Sequence, residues 1–160
     1  MKYPAMPKQS AGLLMFRRSR ARVEVFLVHP GGPFWKNKDL AAWSLPKGEY
    51  AEGEDPLGAA RREFEEETGL RPEGNFLSLG QVRQPGGKLV SAWAFEGDCD
   101  AAAIRSNTFS MEWPKGSGEL REFPEIDRGE WFALDRAREK ILKAQAPFLD
   151  TLAALLDRCE

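Results

Sequence analysis

Three glutamates, Glu63, Glu66 and Glu67, crowd one stretch of the run from Gly48 to Leu70, GEYAEGEDPLGAARREFEEETGL. On a helix turning about 100° per residue they fall within one arc. Leu57, Ala60 and Phe64 fall on an adjacent arc that can pack on a sheet, and Arg61 and Glu65 point elsewhere. Like charges at this spacing repel by a few tenths of a kcal/mol per pair. A divalent cation reverses that sign. Hard oxygen donors at this density suit Mg²⁺ or Mn²⁺, which keep bound waters and seek substrate phosphates. Taken alone, REFEEE also reads as a solvated acidic face.

The elements that must hold these carboxylates are legible around them. Glu54 to Thr68 reads as a helix, with Asp55 near its start, Pro56 in its first turn and Gly69 just past its end. Gln9–Arg17 and Arg22–His29 read as strands. The second sets Val23, Val25 and Leu27 against Glu24 and Phe26, and Ser19-Arg20-Ala21 is of hairpin length. Residues 30–39, PGGPFWKNKD, are a loop rich in breakers and cations. Trp43-Ser44-Leu45 reads as a short strand ended by Pro46. Phe76–Arg83 and Lys88–Phe95 form a hairpin around Pro85-Gly86-Gly87. Asp98–Arg105 is alanine-rich and open to either reading. Phe109–Trp113 and Gly129–Leu134 are further strands, and Asp135–Ala144 and Pro147–Arg158 are helices. Strands interleaved with a few helices predict one mixed α/β domain over residues 1–160.

Composition narrows the function. The 160 residues are 42% hydrophobic and 30% charged, the balance of a folded domain rather than a disordered chain. The net charge of −2 supplies no general basic field, so no nucleic-acid partner is expected. The charge is uneven: residues 1–47 carry nine Lys/Arg and two acids, whereas 48–70 carry two Arg and eight acids. Such a pairing suits a metal-bound phosphate ester, or is plain surface variation. No apolar run spans a bilayer and Met1–Ser10 has no signal pattern, so a cytoplasmic protein without membrane contact is expected. Cys99 and Cys159 build no disulfide scaffold or metal site, and a single histidine argues against His-based metal sites and a Ser-His-Asp triad.

The spacing goes further than the three acids. Gly48, then Glu54, Arg62-Glu63, Glu66-Glu67, Gly69 and an apolar Leu70 resemble the Nudix box, GX5EX7REUXEEXGU, with Phe64 where the family has an aliphatic residue. WSLPKG (43–48) resembles the usual lead-in, and EIDRGEWF (125–132) the closing strand before a helix. The resemblance implies a Nudix α/β/α sandwich around a mixed sheet. It also implies hydrolysis of a nucleoside diphosphate linked to a further group. By the same resemblance, Glu63, Glu66, Glu67 and the Gly48 carbonyl are metal ligands for Mg²⁺ or Mn²⁺. Arg62 and Glu54 brace the loop and helix. The catalytic base comes from Glu66, Glu67 or a distal loop, where Glu112, Glu119, Glu122 and Glu125 are candidates.

Candidate substrate contacts are Lys47 at the lip, Phe34 and Trp35 for base stacking beside Lys36 and Lys38, and Lys88 near Gly86-Gly87. Each also has a bland reading: an exposed lysine, a packing cap, hairpin decoration. His29 reads as structural, and Trp93, Trp113 and Trp131 as core. Pro46-Lys47-Gly48 and SAGLLMFR (10–17) resemble dinucleoside-polyphosphate hydrolases, and the GGPFW loop resembles bacterial NTP pyrophosphohydrolases. Pro85 has the position seen in ADP-ribose members, although a Pro-Gly-Gly turn explains it locally. The leading substrates are therefore diadenosine tetraphosphate (Ap4A) or an NTP or dNTP. An ADP-ribose pyrophosphatase, a non-catalytic nucleotide sensor and an RNA-end processor are the alternatives. Oligomeric state is left open.

Overall fold

The computed structural model describes residues 7–158. Residues 1–6, part of the stretch read for a signal pattern, and Cys159 lie outside them. The strands are β1 (Gln9–Ser19), β2 (Arg22–Pro30), β3 (Lys47–Glu49), β4 (Leu77–Arg83), β5 (Leu89–Glu96), β6 (Thr108–Glu112), β7 (Leu120–Pro124) and β8 (Ile126–Ala133). The α-helices are α1 (Pro56–Thr68), α2 (Leu134–Lys140) and α3 (Ala146–Arg158).

Arg20 and Ala21 turn the β1–β2 hairpin with φ of 49° and 64°, the left-handed pair a two-residue hairpin demands. The main sheet runs β4-β5-β1-β2-β8, with β3 paired to β1. β1 and β5 are parallel and the other pairs antiparallel, so the sheet is mixed. α1 packs on one face, against β1 and β5, while α2 and α3 cover the other. The expected α/β/α sandwich is the observed one.

Both faces of the central strands are therefore core. Ala11, Leu13, Met15, Phe26 and Val28 pack under α1, and Leu14, Phe16, Val25 and Leu27 under α2 and α3. The alternation expected along β2 holds only at Glu24, which pairs with Arg17 at 2.9 Å; Phe26 is fully buried. A sheet covered on both faces selects apolar residues at both parities.

Three local expectations are corrected. Trp43-Ser44-Leu45 is not a strand. Ser44 bridges Val28 and Trp43 bridges Ile141, while Leu45 N–H donates to the Gln145 side chain at 3.1 Å. Regular pairing starts only beyond Pro46, whose carbonyl accepts from Leu13 N–H. The helix expected over 135–144 stops at Lys140. Ile141 is extended and fully buried, bridging Trp43, and a 3₁₀ turn follows at Lys143–Gln145. Trp93, Trp113 and Trp131 are only half-buried; the tryptophan at the centre of the core is Trp43, 1% exposed and hydrogen-bonded to Asp39. A strand absent from the sequence reading, β7, pairs with β6 as a separate two-stranded arm. The alanine-rich stretch holds only one 3₁₀ turn, Ala101–Ala103.

Candidate active site

α1 is fixed at both ends by its own sequence. The Asp55 side chain accepts from Gly58 N–H at 2.9 Å and Pro56 enters the first turn, which satisfies an otherwise unpaired donor. Gly69 closes the helix in the left-handed region at φ 77°, donating to Glu65 O. Ala59, Ala60 and Phe64 are buried against the sheet, and Phe64 meets Phe95 edge-to-face at 5.3 Å. Phe64 thus fills a core position, and the face with Glu63, Glu66 and Glu67 turns toward β3.

Each glutamate has a distinct setting. Gly48 lies directly under Glu63: a Cβ there would stand 2.1 Å from the carboxylate, so only glycine admits this approach. Glu63 also accepts from Arg62 Nη1 at 2.8 Å, and the same nitrogen reaches Glu66 at 3.5 Å. Arg62 Nη2 donates to Glu54 at 3.1 Å. Arg62 therefore ties the loop to the helix, as the resemblance implied. Glu67 accepts from Lys47 N–H at 3.3 Å. Among the described residues, no three acidic, histidine or cysteine side chains stand close enough together to hold one ion. Arg62 draws Glu63 and Glu66 to itself, and Lys47 N–H holds Glu67.

Electrostatics mark Glu67 out. Burial pushes its carboxyl up to about 8, reinforced by Glu63 and Glu125 and partly offset by the Lys47 N–H and ammonium. Burial also raises Glu63, with Glu66 adding and Arg62 opposing. Burial lowers Lys47, with Lys88 adding to the effect. Burial and neighbouring carboxylates disfavour the ionised forms of Glu63 and Glu67, and a bound cation would favour them. The donors are the hard oxygens a divalent ion takes, and Glu63 lies against Gly48, but Glu63, Glu66 and Glu67 do not converge on one point in this structure.

A cleft of about 240 Å³ opens over Glu67, lined also by Lys47, Trp35, Ser44, Pro30 and Glu125. Of the four distal glutamates, Glu125 alone lies there. Glu119 pairs with Arg121 at 3.7 Å, Glu122 accepts from Thr108, and Glu112 is exposed on the arm. Backbone bonds carry Glu125 into place. Asn107 N–H donates to Glu66 O at the end of α1, Glu125 N–H to Asn107 O, and Gly31 N–H to Glu125 O.

The other candidates separate. Trp35 lines the cleft and packs on the core, with Lys38 Nζ 5.0 Å from its ring centroid. Phe34 points away, exposed, against Trp113. Lys88 is ion-paired with Glu49 at 2.8 Å and lies near Lys47, outside the lining of the cleft over Glu67. His29 is buried with both ring nitrogens engaged, by Asp127 at 2.9 Å and Lys38 O at 2.6 Å, a structural role. Pro85 sits in the exposed β4–β5 turn. No helix among the described residues is long and apolar enough to cross a membrane.

Comparison with known proteins agrees with this architecture. The RNA pyrophosphohydrolase of Rhizobium meliloti is 30% identical over 138 residues, covering 70% of this chain and 77% of the relative. The match to the RNA pyrophosphohydrolase of Roseobacter denitrificans is 50% identical but spans only 24% of each chain. Among solved structures, a C. elegans Ap4A hydrolase binary complex superposes with a TM-score of 0.62 at 22% identity, covering 94% of this chain and 98% of that one. The NUDIX domain of Shewanella oneidensis NrtR complexed with ADP ribose gives 0.66 at 16%, covering 95% and 90%. These two likenesses show the fold. Nudix hydrolases generally use divalent metal ions. A family model described as the NUDIX domain matches residues 6–152, so the chain belongs to the Nudix hydrolase family.

Proposed function

We propose that this chain is a divalent-metal-dependent pyrophosphohydrolase. It cleaves a phosphoanhydride bond in a nucleoside diphosphate linked to a further group, with Ap4A or an NTP as the leading substrate. The observation that carries the reading is the burial-shifted Glu67 carboxyl in one cleft with Lys47 and Glu125, on the helix α1 that also carries Glu63 and Glu66.

In this reading Glu63, Glu66, Glu67 and the Gly48 carbonyl hold Mg²⁺ or Mn²⁺. The ion would neutralise charge on the phosphoryl oxygens as the anhydride breaks. Lys47 binds phosphate at the lip, and Trp35 closes the cleft against bulk water. Glu125, or Glu67 itself, accepts the proton of the attacking water. The new P–O bond forms as the bridging P–O bond breaks, and the leaving phosphate departs with the bridging oxygen. Lys88, ion-paired with Glu49 at 2.8 Å and close enough to Lys47 to lower its pKa, is kept as a further candidate phosphate contact.

A second reading, RNA 5′-end hydrolysis, is favoured by the name of the Rhizobium meliloti relative. It uses the same bond chemistry on a longer substrate. The discriminating experiment incubates the protein and Mg²⁺ with Ap4A, canonical and oxidised NTPs and dNTPs, ADP-ribose and a 5′-triphosphorylated oligoribonucleotide. Ion-exchange chromatography resolves the products. Conversion of Ap4A to ATP plus AMP supports the leading substrate. Faster cleavage of the RNA end transfers the assignment to RNA. No cleavage of any compound defeats the hydrolase reading and leaves the sensor alternative.

A further inference from the structure

His29 does more than fill the core. It is fully buried near the end of β2, and Trp43 meets its ring edge-to-face at 5.1 Å. Opposite it β8 carries a bulge: Arg128 pairs with His29 and Ile126 with Pro30, so Asp127 is left over between them. A bulge re-aims a side chain. Here Asp127 turns both carboxylate oxygens to His29 Nδ1, at 2.9 and 3.1 Å. On the other side of the ring, Nε2 stands 2.6 Å from the Lys38 carbonyl oxygen.

Both partners are acceptors. A carbonyl oxygen never donates, and Asp127, its side chain 34% exposed, has water to support its charge. A neutral imidazole donates from one nitrogen only, so both bonds form only when the ring is an imidazolium. A neutral ring would set a lone pair against an acceptor oxygen where no water reaches.

The two anchors belong to opposite walls of the reaction cleft. Lys38 N–H donates to Trp35 O at 2.9 Å, which joins one anchor to the Trp35 wall. Asp127 follows Glu125 by two residues, and Gly31 N–H holds Glu125 O at 2.8 Å. Trp35 and Glu125 line the cleft over Glu67 from these two segments.

We propose that His29 is a positioning residue. As an imidazolium it clamps the 30–39 loop to the 124–127 segment, and so fixes Trp35 and Glu125 over Glu67. The catalytic consequence rests on the pyrophosphohydrolase reading, whereas the clamp itself is read without turnover. His29 touches no substrate in this scheme and acts through the two walls it joins.

The chain has a single histidine, so heteronuclear NMR of the full chain with isotopically labelled histidine reports this ring alone. At neutral pH the wild type should show a proton on each ring nitrogen. Asp127→Asn offers an amide donor to Nδ1, so a neutral ring keeps both bonds; it should show one ring proton, on Nε2, and retain kcat within about threefold. His29→Phe keeps a ring in the core and drops both bonds, and Asp127→Ala drops one and leaves the ring. Hydrogen exchange should quicken at least about tenfold at the Lys38 and Gly31 amides in His29→Phe, and at the Gly31 amide in Asp127→Ala. In both, kcat should fall about 10–100-fold with KM within about threefold, because Lys47 stays on β3 while the cleft walls shift. A single ring proton in the wild type overturns the proposal. So does unchanged exchange with unchanged kcat in both His29→Phe and Asp127→Ala, or an equal loss of kcat in Asp127→Asn and Asp127→Ala. If the wild type cleaves nothing, the hydrolase reading fails, and the ring protons and amide exchange alone decide the clamp.

Discussion

The α1 region and the β6–β7 arm are built in opposite ways. α1 buries Ala59, Ala60 and Phe64 in the sheet and is capped at both ends. The arm pairs only with itself, and none of its residues is fully buried. Chemistry on phosphorus needs carboxylates held to a fraction of an ångström, which a helix seated on a core provides. Recognition of varied groups tolerates, and gains from, a less rigid wall. The proposed reaction sits on the rigid frame, and the arm is the region free to open locally.

The largest predicted effect is on turnover. Glu67→Gln removes the desolvated carboxylate but keeps its shape. Activity should fall by about 10²–10⁴-fold, the range of a lost acid–base group, with the fold retained by circular dichroism. A loss under about fivefold would move the reaction away from α1 and erase the contrast.

Stability should divide the two regions next. Phe64→Ala opens a cavity in the core and should cost about 3–5 kcal/mol in urea unfolding. Phe109→Ala, against Gly32 and Phe123 on the arm, should cost about 1 kcal/mol. Hydrogen exchange sharpens this: arm amides should exchange through local opening well before those of β1 and β2. Equal costs would make the arm part of the core.

A smaller effect comes from pH. The Glu67 carboxyl titrates near about 8 in the folded chain against an ordinary 4.5. The folded state therefore binds more protons than the unfolded state between those values. In metal-free buffer its stabilising contribution is full below about pH 4.5 and falls as pH rises toward 8, by at most about 1.4 kcal/mol per pH unit. Thermal melts should show this decline, Glu67→Gln should flatten it, and added Mg²⁺ should offset it. A wild-type profile as flat as the mutant's would place Glu67 in water.

The frame was legible in the sequence because its determinants are local. Asp55, Pro56 and Gly69 mark α1, and Glu63, Glu66 and Glu67 share a face by periodicity alone. What escaped depends on distant partners. Ile141 leaves its helix to reach Trp43, and β3 starts after Pro46 because Gln145 takes the Leu45 N–H. Glu125 could be named only as one of four acids, since its place over Glu67 comes from backbone bonds through Asn107 and Gly31. The ion pair of Lys88 with Glu49 likewise joins residues far apart in the chain and carried no local signal. Arg121 carried no sequence signal; only its register opposite Met111 puts it on the Trp113 face.

The central claim, that the glutamate face of α1 is a metal centre, is tested most directly by Mn²⁺ titration followed by electron paramagnetic resonance. The wild type should bind Mn²⁺ in competition with Mg²⁺, and Glu66→Gln and Glu67→Gln should each weaken that binding at least tenfold. Equal Mn²⁺ binding by all three proteins would contradict the claim.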